Sequence, residues 1–243
     1  MQEILFIGAC FFIVAFLYAS VGHGGASGYL AVMALFGFSA TVMKPTALIL
    51  NLMVSLIAFI SFYRAKHFKQ ALLWPLVLAS IPCAFIGSVM PISEIVYKKI
   101  LAVVLLISVL RLLWNSAEQT IQPAPNWYWL SLIGAVIGLL SGMIGMGGGI
   151  LLSPILLLMG WCNQKQTAAI SAVFIFLNSA SGMLGQLKTG FVWDTQLWAI
   201  IGFVLVGGSL GAYFGAAKFK SANMKYILAV VLFLAAGKLF FVK

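Results

Sequence analysis

Apolar residues run through this chain in long uninterrupted stretches, separated by short breaks of glycine, proline or charge. The breaks divide it into ten segments near residues 3–20, 24–37, 43–63, 70–90, 96–114, 127–143, 148–160, 166–186, 194–216 and 222–242. Most approach the ~20 residues that an α-helix needs to cross the ~30 Å hydrocarbon core of a bilayer. None alternates strictly, as a barrel strand does, and an open sheet edge cannot satisfy its backbone in hydrocarbon. The pattern therefore predicts an all-α polytopic membrane protein with 8–10 membrane segments. Met1-Gln2-Glu3 leads straight into Ile4-Leu5-Phe6 without a basic leader, so the first segment is expected to be an uncleaved span.

Segments 24–37 and 148–160 are too short to cross. About 14 helical residues reach about 21 Å, so each is expected to be a re-entrant or half-crossing helix after its glycine-rich loop. The same two segments mark an internal repeat. Gly22, Gly24, Gly25 and Gly37 correspond to Gly145, Gly147, Gly148 and Gly160 at a constant offset of 123, and Phe68 to Phe191. Ile100-Leu101-Ala102-Val103-Val104-Leu105 recurs as Ile227-Leu228-Ala229-Val230-Val231-Leu232, where the offset has grown to 127. The least apolar stretch, with Glu118, Gln119, Gln122, Pro123 and Pro125, lies between the copies. The expected organisation is an N-terminal repeat over 1–115, a linker over 116–125 and a C-terminal repeat over 126–243, in one membrane domain. Four full crossings per half would make the halves parallel and five would make them inverted. The Lys and Arg counts on the two sides are too even for the positive-inside rule to choose.

Composition agrees with the segment pattern. The chain is 63% hydrophobic and 7% charged, which leaves too little polar surface for a soluble fold. The net charge of +10 is spread between the apolar runs and forms no face with interleaved aromatics, so it reads as a topology signal and no nucleic-acid partner is expected. The densest basic cluster, Arg64-Ala65-Lys66-His67-Phe68-Lys69, is expected to be a solvated loop facing the cytoplasm. Cys10, Cys83 and Cys162 have no metal-ligand or disulfide spacing, and neither a metal nor a cofactor is expected.

An internal repeat in a polytopic membrane protein is the usual ground plan of a secondary transporter, with the substrate site between the halves. The candidate site is the pair of glycine loops. Glycine allows successive backbone N–H groups to point into a cavity, and a helix that starts just after them adds its positive dipole end. Such a device holds an anion with neutral atoms at membrane depth. Gly22, His23, Gly24 and Gly25 in one half and Gly145, Gly147, Gly148 and Gly149 in the other are the expected anion contacts. Among the polar residues of the spans that follow, Asn51, Ser171 and Asn178 are expected to line the same cavity. His23 is the one group there that titrates near about pH 6.5.

Gly-x-Gly-Gly-Gly followed by Leu-Leu-Ser-Pro-Ile-Leu-Leu-Leu-Met-Gly, residues 145–160, resembles the signature of the sulfite exporter TauE/SafE family. The likeness extends along nearly the whole chain, through the repeat and the small-residue runs at 207–211 and Gly215; Ala31 stands where the second half has Pro154. The resemblance implies an integral permease that exports sulfite, a sulfonate or another sulfur-containing anion across a bacterial cytoplasmic (inner) membrane. It implies a small anionic substrate and the lipid bilayer as partners; a homodimer stays open. Two rivals use the same residues. An anion channel would employ the same loops, and Gly25-Ala26-Ser27-Gly28 matches the serine motif of rhomboid proteases, although no histidine lies in a second apolar span to serve Ser27. Finally, Glu3, Glu94, Glu118 and Asp194 all fall at segment ends, so no span carries a carboxylate relay and potential-driven export is expected.

Overall fold

The structure is a computed structural model and describes residues 2–113, 122–123, 125–190, 197–217 and positions 233, 236, 237, 239 and 240. Every regular element among them is an α-helix: α1 (Gln2–Ser20), α2 (Ala26–Leu35), α3 (Ala40–Arg64), α4 (Gln70–Val89), α5 (Glu94–Leu113), α6 (Trp127–Ile144), α7 (Gly149–Leu158), α8 (Gln164–Thr189) and α9 (Leu197–Ala217). This is the all-α polytopic class that the apolar pattern predicts. Helices α3, α4, α6, α8 and residues 200–217 of α9 are long and apolar enough to cross a membrane. Most of the tenth segment, most of the linker and Asp194 lie outside the described residues.

The short segments are helices of 10 residues each. Helix α2 returns beside α1 as a hairpin: Tyr18 meets Ser27, Phe11 stacks on Tyr29 and Phe6 meets Phe36 at the open end. The second hairpin, α6–α7, is closed at its base by the Gln122 N–H, which donates to Gly160 O at 2.8 Å. Helix α3 then runs the other way from α2, and α4 returns beside it with Ser88 against Lys44. With α5 the first repeat has five helices. The third helix of each repeat decides the relation of the halves. Leu48 of α3 packs at Gly182 of α8 and Asn51 packs at Ser179, so the two run antiparallel and the repeats are inverted.

The halves also exchange partners. Gly134, Gly138 and Gly142 on α6 ride over the backbone of Leu76, Ser80 and Ala84 on α4, so closely that a Cβ at any of them would strike the carbonyl oxygen opposite. Gly207, Gly211 and Gly215 on α9 ride in the same way over Phe12, Phe16 and Ser20 on α1. Small residues at every fourth position let helix backbones approach within membranes, where apolar burial gives little drive for association. Both pairs are parallel. The first helix of each half thus packs on the fourth helix of the other, and each half is completed by its counterpart.

Side-chain distribution is that of a protein in lipid. Leu78, Leu110, Leu132 and Leu184 face outward, whereas Ser27, Asn51, Ser55, Ser153, Ser171 and Ser179 are buried between helices. Trp74, Trp127, Tyr128 and Trp129 are exposed at the starts of α4 and α6, and Trp198 at the start of α9, where amphipathic rings sit at a membrane–water interface.

Candidate functional site

The two glycine loops meet on opposite sides of one carboxamide. Asn51 stands near the middle of α3, and its Oδ1 accepts from the Ala26 N–H at 3.0 Å, the first donor of α2. Its Nδ2 donates to Met146 O in the second loop at 3.1 Å and to Ser179 Oγ on α8 at 3.4 Å. A Cβ on Gly24 would collide with Asn51 Oδ1, and one on Gly147 would come 2.8 Å from Asn51 Nδ2. The absence of side chains at these two positions is what lets both loops close on Asn51.

Backbone conformation follows the repeat. Gly22 and Gly145, Gly25 and Gly148, and Gly37 and Gly160 all have positive φ, so equivalent turns are built at equivalent places. Gly25 and Gly148 are the N-caps of α2 and α7 and have no side chain to cap with, so at α2 the cap comes from Asn51 on α3. Two positive helix ends therefore converge near Asn51. Among the described residues none accepts a hydrogen bond from the N–H of Gly24, Gly25, Gly147 or Gly148. All four glycines are buried. Native proteins leave few buried backbone donors without a partner, so these four are the candidate contacts for a ligand.

His23 crosses from the first loop to the second half. Its Nδ1 lies 3.0 Å from Val21 O, and its Nε2 lies 2.9 Å from Ser153 Oγ on α7. A carbonyl only accepts, so Nδ1 carries the hydrogen, and in the neutral ring Nε2 competes with Gly149 O for the one hydroxyl proton of Ser153. Ser153 Oγ is also 2.9 Å from Ser171 Oγ and 2.8 Å from Gly149 O. The loop of one half, the short helix of the other and α8 are joined in one buried chain, His23–Ser153–Ser171.

Of the residues expected from sequence, Gly22, His23, Gly24, Gly25, Asn51, Gly145, Gly147, Gly148, Gly149 and Ser171 come together around these contacts. Asn178 does not. Its Nδ2 donates to Ser80 Oγ on α4 at 2.9 Å and to Phe174 O at 2.8 Å, which ties α8 to α4 and not to Asn51. Ser153 is the residue missing from the expectation, while Ser179 belongs to the polar residues of the spans that follow the short helices. Ser153 had a signal, since it is the one polar side chain in Gly149-Ile150-Leu151-Leu152-Ser153-Pro154-Ile155-Leu156-Leu157-Leu158. Ser27 bonds Tyr18 Oη at 2.5 Å, while the imidazole Nε2 goes to Ser153. His67 is half-buried and not fully solvated; burial, with Lys165 beside it, lowers its pKa.

Replacing Asn51 by Leu should orphan the Ala26 N–H and the Met146 carbonyl together, at about 1–3 kcal/mol for each group. A clear fall in the thermal unfolding midpoint of purified protein is expected. An unchanged midpoint would show that the bridge does not hold the loops.

A family model described as Sulfite exporter TauE/SafE matches residues 7–239. The chain is 35% identical over 243 residues to a protein of Sinorhizobium fredii named probable membrane transporter protein y4hK, covering 98% of each. It is 31% identical over 109 residues to probable membrane transporter protein YunE of Bacillus subtilis, covering 45% of this chain and 40% of the relative. It is 28% identical over 128 residues to Sulfite exporter TauE/SafE family protein 1 of Arabidopsis thaliana, covering 51% of this chain and 26% of the relative. No solved structure matches.

Proposed function

The chain belongs to the sulfite exporter TauE/SafE family of membrane transporters, and from that premise we propose that it exports a small sulfur-containing oxyanion, such as sulfite or a sulfonate. The observation that carries this reading is the set of four buried N–H groups at Gly24, Gly25, Gly147 and Gly148, without acceptors, where two helix N-termini converge. Neutral donors hold an oxyanion without the desolvation cost of a buried lysine, and release it readily. Asn51 keeps the loops together, and the bodies that move against one another to open the site alternately are the cross-half pairs α4–α6 and α1–α9 with the short helices they carry. Inversion of the repeats supports this, because a pseudo-two-fold axis in the membrane plane then relates the inward- and outward-open arrangements. The reading places the protein in a bacterial cytoplasmic membrane, with a small anion and lipid as partners and no metal or cofactor.

The described spans contain no Asp or Glu among residues whose side chains are described, apart from Glu94 at the start of α5, which pairs with Lys98 at 3.2 Å. The membrane potential, negative inside, drives an anion outward by about 2.3 kcal/mol per charge per 100 mV. In proteoliposomes loaded with sulfite, efflux should accelerate as a potassium–valinomycin potential is made more negative inside. His23→Gln should leave that dependence in place. Efflux that follows a pH gradient and ignores the potential would overturn uncoupled export. A panel of sulfite, sulfate, thiosulfate, a sulfonate and small carboxylates ranks the substrates, and saturation of flux separates a carrier from a channel.

A further inference from the structure

Lys44 is a buried cation that no described carboxylate answers. It lies one turn into α3, is 8% exposed, and its Nζ donates to Ser88 O at the end of α4 at 2.8 Å. The same carbonyl accepts from Gln186 Nε2 at 2.9 Å. Ser88 Oγ donates to Gly182 O at 2.6 Å. A helix C-terminus favours a cation, so one N–H of the ammonium is accounted for. The other two have no acceptor among the described residues. Glu94, the one acid with a described side chain, is engaged with Lys98. An ionised side chain inside a membrane protein is costly unless it is paired, and usually marks an ion or substrate path.

Its place in the fold says which path. A Cβ on Gly145, the first residue of the second glycine loop, would lie 2.9 Å from Lys44 Cγ, so the lysine stem packs directly on that loop. The 123-residue offset maps Lys44 onto Thr167, which stands beside Ala168, on which Gly22 packs. Thr167 is 2% exposed, and its Oγ1 has no hydrogen-bond partner. A buried donor with capacity left over thus stands beside each glycine loop, charged next to Gly145 and neutral next to the residue on which Gly22 packs.

We propose that Lys44 is a second anion-holding station, at the mouth between α3, α4 and α8, which takes a small oxyanion as it enters or leaves the glycine loops. Thr167 is its weaker counterpart at the other mouth. The inference rests on the anion-permease reading and adds an asymmetry to it. An inverted-repeat carrier with equal mouths would bind its anion equally from both faces, whereas this one holds it more tightly on the Ser88 side. Two free N–H groups on a compact ammonium suit one oxyanion better than a long carboxylate chain.

The test uses the purified full chain and sulfite as probe, with chloride as the ionic-strength control. The thermal midpoint of wild type should rise with sulfite. Lys44→Gln should raise the half-saturating concentration about tenfold or more, the loss expected for a charge-assisted hydrogen bond, and Lys44→Arg should keep most of the response. Gly148→Val should retain the part of the response that Lys44 supplies. If Lys44 only caps α4, Lys44→Gln lowers the sulfite-free midpoint and titrates like wild type, which overturns the station and leaves the permease reading intact. A wild-type midpoint that ignores sulfite overturns both. Where Lys44→Gln does not accumulate, acetic anhydride labelling of wild type decides: sulfite should slow acetylation of Lys44 relative to Lys66, and equal slowing overturns the proposal.

Discussion

Gly148→Val should abolish sulfite efflux while a folded protein still reaches the membrane. Gly148 has φ +80° as the N-cap of α7, and a Cβ there would come 2.8 Å from both Ile137 Cγ2 and Phe174 Cε1. A left-handed backbone costs an L-residue about 1–2 kcal/mol. Crowding against two side chains adds about 1–3 kcal/mol and turns the loop so that its N–H groups no longer point together. The molecule supplies its own control. Gly37 has φ +79° and nothing within 4 Å of a Cβ, so Gly37→Val bears the backbone cost alone. Efflux should survive in Gly37→Val and vanish in Gly148→Val, measured per folded protein by size-exclusion and thermal unfolding. Wild-type efflux from folded Gly148→Val would remove the glycine loops from the site.

The helical class and the two short helices were legible because hydrocarbon leaves the backbone few options and ten-residue helices cannot cross it. The turns were legible because only glycine enters positive φ cheaply, and Gly22, Gly25, Gly145 and Gly148 all do so. Helix faces were not. Asn178 aligns with Ser55 at the repeat offset, yet Ser171, Ile175 and Ser179, four apart, form the stripe of α8 that meets the loops and Asn51. Position 178 lies on the neighbouring stripe, with Ser181, and meets Ser80 and Ile81 of α4. Spacing names the stripes; only the packing of α4 and α3 on either side of α8 tells which one faces the site. The direction of the halves was hidden for a related reason. Charge at loop ends was nearly balanced, whereas the antiparallel crossing of α3 and α8 is a tertiary contact.

The small-residue ladders were visible as spacing but not as partners, and they carry the largest expected effect on stability. Gly142→Leu places a side chain where a Cβ would already strike the carbonyl oxygen of Ala84, and a backbone oxygen inside a helix cannot swing aside. Helices α4 and α6 must separate, and Gly134 and Gly138 lose their seats on Leu76 and Ser80 together. The expected loss is about 3 kcal/mol or more, enough to leave little folded protein in detergent. Gly202→Leu on α9 is the matched control, because nothing lies within 4 Å of a Cβ there, and it should change the midpoint little. The damage should reach the site as well. Helix α6 ends at Ile144, where Tyr97 Oη donates to the carbonyl at 3.2 Å, and the second glycine loop starts at the next residue. Any variant that displaces α6 therefore moves Gly147 off Asn51, so a milder Gly138→Ala should lose efflux out of proportion to its fall in midpoint. Equal midpoints for Gly142→Leu and Gly202→Leu would mean that the cross-half pairs do not hold the fold together.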